Sequence, residues 1–176
     1  EMKKRNISVY LIPTADFHGS EYVSEYFKVR EYITGFTGSA GTVVITETEA
    51  ALWTDGRYFI QAGRELEGTG IVLQKMGMEG VISIYDYVKE RLVPGTRLGF
   101  DGRVINARAA GRYERLASEK QAELYWQEDL ADHIWSERPD FPCAPAFVLD
   151  LQYAGKDTED KLEEVRTVMR EQKADW

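Results

Sequence analysis

Runs of β-branched and apolar residues alternate along this chain with stretches in which apolar residues recur at helical spacing. The runs predict strands, and the helical spacing predicts amphipathic helices. The predicted strands cover 7–12, 42–46, 50–54, 71–74, 97–100 and 122–126, and the predicted helices cover 21–33, 55–67, 81–92, 109–117 and 130–135. The second and third strands form a hairpin, and helices then alternate with strands. This order predicts an α/β fold with a mixed β-sheet of about six strands flanked by helices.

The composition changes after Trp135, where three of the five prolines follow within ten residues. Such a segment is typical of a semi-rigid extended linker at a domain boundary. Beyond it, Thr158 is placed to cap an amphipathic helix that has no partner of its own. We therefore expect an N-terminal domain over 1–136, a Pro-rich linker over 137–155, and the truncated start of a second, similar domain over 156–176.

The charge balance excludes some partners. With 22 basic and 30 acidic residues the net charge is -8, which argues against binding to nucleic acid or to an anionic membrane surface. No apolar run approaches the ~20 residues of a membrane span, and no charged-then-apolar leader opens the chain. The single cysteine, Cys143, fits a reducing compartment, so we expect a cytoplasmic protein with an incidental or structural thiol.

A glycine-rich segment, Gly35–Gly41, carries glycines at a spacing of three. A phosphate-binding loop follows a strand and opens a helix, whose N-terminus holds the anion. Here the predicted helix precedes the loop and the predicted strand follows it. The reversed order favours a structural tight turn over a phosphate site.

The segment Trp53–Tyr58 lies where a predicted strand ends and a helix begins. Asp55 is a good N-cap, and Arg57 then falls in the first helical turn, where the helix dipole disfavours a positive charge. Ligands of open α/β sheets bind at this edge, so Arg57 is a candidate ligand contact. From spacing alone, a structural ion pair with a nearby carboxylate is the favoured alternative. A second Asp-Gly-Arg, at 101–103, receives little weight because short repeats of loop residues arise by chance.

No catalytic set stands out from the residues alone. His18 and His133 are far apart and lack zinc-ligand spacing. The pair Glu163 and Glu164 lies beside basic residues and is typical of a solvated helix face.

Several motifs together resemble the N-terminal domain of three-domain Xaa-Pro aminopeptidases (aminopeptidase P), a creatinase-type, ribonuclease H-like domain shared with creatinase and prolidase. The resemblance covers essentially the whole chain. It rests on Tyr10–Pro13, Asp16, Ser20–Tyr22, Gly35–Thr42 and Trp53–Phe59, with Gly77–Met78, Ile134–Trp135, Arg138–Pro139 and Pro142 further along.

The resemblance implies a full-length metalloaminopeptidase that releases the N-terminal residue preceding proline. It implies two divalent metal ions, typically manganese, in a third domain that this chain does not include. This part is expected to be non-catalytic and to bind no metal, while helping to form the substrate-binding rim and the homodimer. The resemblance also implies that Arg57 reaches toward the peptide substrate, which reverses the preference from spacing. Arg103 is not in the family pattern. A prolidase or creatinase-like enzyme, or a non-catalytic peptide- or protein-binding module of the same fold, remain alternatives.

Overall fold

A computed structural model describes residues 1–175 of the chain. Trp176, the last residue of the segment 156–176, lies outside the described residues. The chain divides into two compact units, Glu1–Pro142 and a second one that begins at Cys143. Each unit is described by itself below.

The first unit is built on one six-stranded sheet with the order β4-β3-β2-β1-β5-β6. The strand β2 pairs antiparallel with both β1 and β3, and the remaining neighbours pair in parallel. Five strands therefore point the same way, and their carboxyl ends meet at one edge of the sheet. The strands are β1 Ile7–Pro13, β2 Thr42–Thr46, β3 Ala50–Thr54, β4 Val72–Lys75, β5 Arg97–Phe100 and β6 Glu123–Tyr125. The predicted mixed six-stranded sheet and its β2–β3 hairpin are confirmed.

Helices cover both faces of this sheet, because successive strand residues point to opposite sides. In the hairpin, Val43 and Leu52 are buried on one face with α1 and α2, while Val44 and Trp53 are buried on the other with α3 and α4. The four helices are α1 Val29–Thr34, α2 Phe59–Glu65, α3 Ile84–Arg91 and α4 Ala107–Glu119, and 3₁₀ turns lie at Lys3–Arg5, Glu25–Phe27 and Leu130–His133.

The helix predicted over 21–33 is wrong in its first half, because α1 begins only at Val29. Before it, the Asp16 carboxylate accepts hydrogen bonds from the backbone amides of His18 and Ser20, at 2.8 and 2.9 Å. Side-chain bonds of this kind offer the backbone an alternative to helix. These bonds form a turn just before Glu21, and the chain then passes through the 3₁₀ turn Glu25–Phe27 before α1 begins.

The second unit contains a single-turn helix, α5 (Leu151–Ala154), and the longer α6 (Thr158–Gln172). The residue that caps α6 is Asp157, whose carboxylate accepts from the amide of Asp160 at 2.8 Å. The prediction of Thr158 as the cap was therefore wrong by one residue. None of the described residues from Cys143 onward is buried. Among residues 1–175, we find no helix with the length and apolar character to cross a lipid bilayer.

Candidate functional site

The candidate site lies at the carboxyl edge of the sheet, where β3 ends. The hydroxyl of the buried Thr54 donates to the carbonyl of Ala40 at 2.7 Å, which fixes the glycine-rich segment against the end of β3. The residues Asp55 and Arg57 follow directly. They therefore lie at the edge where open α/β sheets bind ligands.

Asp55 and Arg57 form a closed turn. The Asp55 Oδ1 accepts from the backbone amide of Arg57 at 3.0 Å and from its Nε at 2.9 Å, while Oδ2 accepts from Nη2 at 2.9 Å. Helix α2 begins only at Phe59, with Tyr58 as its N-cap. The prediction that Asp55 caps a helix with Arg57 in its first turn was therefore wrong. The carboxylate instead holds the guanidinium in a bidentate pair before the helix starts.

A third charged residue, Glu21, completes the site from the loop after β1. Its Oε1 accepts from Arg57 Nη1 at 2.9 Å and from the Ser39 hydroxyl at 2.8 Å. Ser39 also lies 2.6 Å from the Tyr58 hydroxyl, and the Arg57 guanidinium lies 5.1 Å from the Tyr58 ring centre. The structural ion pairs considered from the sequence are thus present. They leave 57% of the Arg57 side chain exposed, so the pairs orient it without burying it.

These contacts shift the titration of the three groups. Hydrogen bonds from Ser39 and then from Arg57 lower the pKa of Glu21 below its ordinary value, and the hydrogen bond from Arg57 lowers the pKa of Asp55. The same carboxylates, Asp55 first, raise the pKa of Arg57. All three groups are therefore ionised at neutral pH.

Two open cavities meet at Glu21. One, of about 400 Å³, is lined by Asp55, Arg57 and Ser39 among others. The other, of about 450 Å³, lies on the far side and includes Tyr58 in its wall. Thr14, Glu21 and Ser39 line both. Glu21 and its hydrogen-bond donor Ser39 therefore lie between two spaces that are each large enough for part of a peptide.

The glycine-rich segment follows a helix and precedes a strand, as the sequence predicted. Gly35 ends α1 with φ +72°, a conformation that glycine adopts without strain. Gly38 serves a different need, because a Cβ there would lie only 2.7 Å from Cδ1 of Tyr58 and would also clash with the Phe36 ring. The segment is thus packed tightly between these two rings.

Sequence reasoning missed Arg30, a fully buried arginine in α1 that holds this segment. Its Nε donates to the Thr14 hydroxyl at 2.7 Å, its Nη1 to the Phe36 carbonyl at 2.8 Å, and its Nη2 to the Gly38 carbonyl. Burial lowers the pKa of Arg30 to about 10, and no carboxylate among the described residues pairs with it. The sequence carries no signal that distinguishes Arg30, because the nearby Lys28 and Glu31 are charged as well.

The second Asp-Gly-Arg turns out to repeat the geometry of the first. After β5, Asp101 Oδ1 accepts from the Arg103 amide at 3.0 Å and from its Nε at 2.9 Å, and Oδ2 accepts from Nη2 at 3.0 Å. The Arg103 guanidinium lies 5.2 Å from the Phe17 ring centre, and its second carboxylate, Asp129, is 3.8 Å away. The tripeptide is therefore a self-contained turn that forms at the carboxyl end of a parallel strand.

Metal-ligating residues do not gather anywhere in the described part of the chain. Within residues 1–175, no three His, Cys, Asp or Glu side chains are placed to hold a metal ion. His133 lies 3.2 Å from a carboxylate oxygen of Glu128, His18 is exposed beside Asp16, and Cys143 is exposed. The described residues thus do not fit the dinuclear metal group that the resemblance implies for the full-length protein.

Comparison with known families gives two matches. A family model described as "Creatinase/Prolidase N-terminal domain" matches residues 1–133, and a second model with the same description matches residues 137–176. Among curated proteins, "Aminopeptidase P2" of Arabidopsis thaliana is 42% identical over 163 residues, which is 91% of this chain and 23% of that protein. A Xaa-Pro aminopeptidase of Caenorhabditis elegans is 36% identical over 168 residues, 94% of this chain and 27% of that protein.

Solved structures agree with these matches. The crystal structure of an X-prolyl aminopeptidase from Caenorhabditis elegans, described as a cytosolic enzyme with a di-nuclear active site, has a TM-score of 0.78 at 34% identity. The match covers 96% of this chain and 28% of that one. A Xaa-Pro dipeptidase from Bacillus anthracis shares the fold, with a TM-score of 0.51 at 24% identity over 76% of this chain and 32% of that one. The chain spans about a quarter of the length of these two curated relatives.

Proposed function

We propose, from the premise that this chain belongs to the Creatinase/Prolidase N-terminal domain family, that it is the non-catalytic N-terminal part of a metal-dependent Xaa-Pro aminopeptidase. The full-length protein would release the N-terminal residue of peptides with proline at the second position. The relatives named as aminopeptidases P and Xaa-Pro aminopeptidases, which match nearly the whole chain, support this proposal.

The catalytic part of the full-length protein would hold two divalent metal ions, manganese in our proposal, outside the present chain. The di-nuclear site of the similar Caenorhabditis elegans enzyme supports the count of two. Metal ions in such a site activate water and polarise the scissile carbonyl. We further propose that the protein is cytoplasmic, which the description of that enzyme as cytosolic supports, and that it forms a homodimer.

The part played by this chain is to bind and orient peptide, and Arg57 is the residue that carries the proposal. It lies at the ligand-binding edge of the sheet, its guanidinium is held in place by Asp55, and it remains 57% exposed beside a cavity of about 400 Å³. A guanidinium stays charged and presents a planar fork of donors, which suits peptide carbonyls or a carboxylate. Its bidentate pairing means that little side-chain freedom is lost on binding.

Replacing Arg57 with alanine in the full-length protein is expected to lower kcat/KM for Xaa-Pro peptides by roughly 10- to 150-fold, since a charge-assisted hydrogen bond contributes about 1.5–3 kcal/mol. Arg57→Lys is expected to recover only part, because a point charge cannot reproduce the fork. Steady-state kinetics and a melting curve are the measurements.

Arg103→Ala is the matched control, because it breaks a turn of the same geometry away from the Arg57 cavity. Equal kinetic losses in both variants would mean that the turns act through stability. An unchanged kcat/KM in Arg57→Ala would remove Arg57 from the substrate site, and a collapse of its melting temperature would assign it to structure.

Activity assays of the full-length protein distinguish between the alternatives. Release of the first residue from Xaa-Pro peptides, abolished by a chelator and restored by manganese, supports the aminopeptidase. Turnover confined to dipeptides indicates a prolidase, and turnover of creatine a creatinase-like enzyme. Peptide binding without turnover indicates a binding module.

We also propose that residues 1–136 form the N-terminal domain, 137–155 a linker, and 156–176 the start of a second, similar domain. A separate family match from residue 137 onward supports this division. In the isolated chain, backbone amides of α6 are expected to exchange within seconds to minutes, because no described residue there is buried, whereas those of Val43 and Leu52 exchange far more slowly. Hydrogen exchange followed by NMR measures both. Equal protection would place α6 in the first domain.

A further inference from the structure

The position of Glu21 depends on few contacts. Within the described residues, positions 21–23 make no backbone–backbone hydrogen bonds. The loop is fixed before them by Asp16, which binds the amide of Ser20 at 2.9 Å, and after them by the Phe27 amide, which donates to the Ser24 carbonyl at 2.9 Å. Between these points, the hydrogen bonds of the Glu21 carboxylate to Arg57 and Ser39 hold the loop at the site.

The Glu21 carboxylate binds the Nη1 side of the Arg57 guanidinium, which is the side that Asp55 does not bind. Asp55 occupies Nε and Nη2 of Arg57, and Glu21 occupies Nη1. Each Nη keeps a second N–H, and an acidic group that approached the one on Nη1 would lie beside the Glu21 carboxylate and be repelled, whereas a neutral carbonyl would not. Glu21 therefore competes most strongly with ligands of its own charge.

The net charge around Arg57 also disfavours acidic ligands. One positive charge on Arg57 faces two negative charges, on Asp55 and Glu21, so the group carries one net negative charge. Apart from Glu21, the neighbouring cavity is lined by two basic residues, Lys28 and Arg30, and two acidic ones, Glu25 and Glu31, which together contribute no net charge. The local field thus repels an acidic group near Arg57 and attracts a basic one.

We propose that Glu21 is a specificity-determining residue, which selects against peptides that bring an acidic side chain close to Arg57 and in favour of neutral or basic ones. The inference rests on the proposed function, in which Arg57 contacts the peptide. It adds the charge class of the substrate and the residue that sets it. Removal of the Glu21 charge leaves the charges of Arg57 and Asp55 balanced, so that a ligand carboxylate near Nη1 is no longer repelled.

The test compares peptides of equal length with proline second that differ only in one residue, Asp or Lys, placed at the third, fourth or fifth position. The quantity compared is the Asp/Lys ratio, which is kcat/KM for the Asp peptide divided by kcat/KM for the Lys peptide. In the full-length protein, Glu21→Gln is expected to raise this ratio by roughly twofold to fivefold at one or more of these positions, because partly exposed charge pairs contribute free energies of that size. In an Arg57→Ala background the same change is expected to have a smaller effect. The gain should also shrink with added salt.

Two control variants separate charge from loop position. Glu25→Gln removes a carboxylate from the same loop region, but one that pairs with Lys28 at 2.6 Å, and should leave the ratio unchanged. Ser39→Ala removes a hydrogen bond to Glu21 without changing charge. If Ser39→Ala or Glu25→Gln reproduces the effect of Glu21→Gln, charge selection by Glu21 is overturned.

The outcomes for Glu21 and for the proposed function are distinct. An unchanged Asp/Lys ratio in Glu21→Gln at all three positions overturns the inference while leaving the role of Arg57 intact. Loss of activity confined to Arg57→Ala supports the proposed function alone. If the full-length protein hydrolyses no Xaa-Pro peptide, the proposed function fails. Fluorescence anisotropy with the same labelled peptides then decides the inference, which is overturned if wild type and Glu21→Gln bind both with the same preference.

Discussion

Replacing Arg30 with alanine is expected to lower the free energy of unfolding by about 3 kcal/mol or more, because a buried side chain and all its hydrogen bonds are lost together. The carbonyls of Phe36 and Gly38 and the Thr14 hydroxyl would lose their donor inside the protein. Part of this cost is offset, since the variant no longer buries a charge without a carboxylate partner. Urea denaturation of the chain, followed by fluorescence of the buried Trp53, measures the change.

Lys28→Ala provides the control for this measurement. Lys28 lies two residues earlier in the chain and pairs with Glu25 at the surface, so its loss should cost less than about 1 kcal/mol. Arg30→Met, which keeps much of the volume, separates the cavity from the hydrogen bonds. A loss below about 1 kcal/mol for Arg30→Ala would mean that the glycine-rich segment holds its conformation without the guanidinium.

The purified chain is expected to release no amino acid from any Xaa-Pro peptide, with or without manganese. The proposed metal ligands belong to the remainder of a protein of which this chain spans about a quarter, judged by its relatives. Because enzymes typically accelerate reactions by ~10⁶-fold or more, the loss relative to the full-length protein should exceed the range of the assay. Detection of the released residue by mass spectrometry over several days is the measurement.

Two controls are needed to interpret this result. Circular dichroism and a cooperative melting curve must show that the chain is folded, and the full-length protein must turn over the same peptides under the same conditions. Turnover by the folded chain that depends on added metal and survives repeated purification would contradict a non-catalytic role.

The sheet was predictable because its signals are local. Alternating β-branched residues such as Val43 and Val44 require two apolar faces, and the short connection between β2 and β3 requires a hairpin. Helix starts were less predictable where a side chain competes for the backbone. At Asp55 the carboxylate binds the amide of Arg57, and helix α2 begins only at Phe59 rather than at the predicted residue 55.

The candidate site was likewise predictable only in part. Arg57 was identified because it follows a strand and belongs to a distinctive motif, which are properties of neighbouring residues. Its partner Glu21 lies 36 positions away, and nothing in the spacing indicates that the loop after β1 folds across the end of β3. The second turn at Asp101 shows the reverse case. The repeated Asp-Gly-Arg is visible in the sequence, but its shared turn geometry is evident only in the structure.

The sheet ends on both sides in very short strands, which limits how this domain can associate with other chains. The outer strands β4 and β6 contain four and three residues, and each carries an exposed charged residue, Lys75 and Glu123. Short edges with charged side chains are a recognised defence against edge-to-edge aggregation. A neighbour that added its own strand here could form only a few backbone hydrogen bonds. Quaternary contacts of the domain are therefore expected to use loops and helix surfaces, and the isolated domain should stay monodisperse at the concentrations that spectroscopy needs.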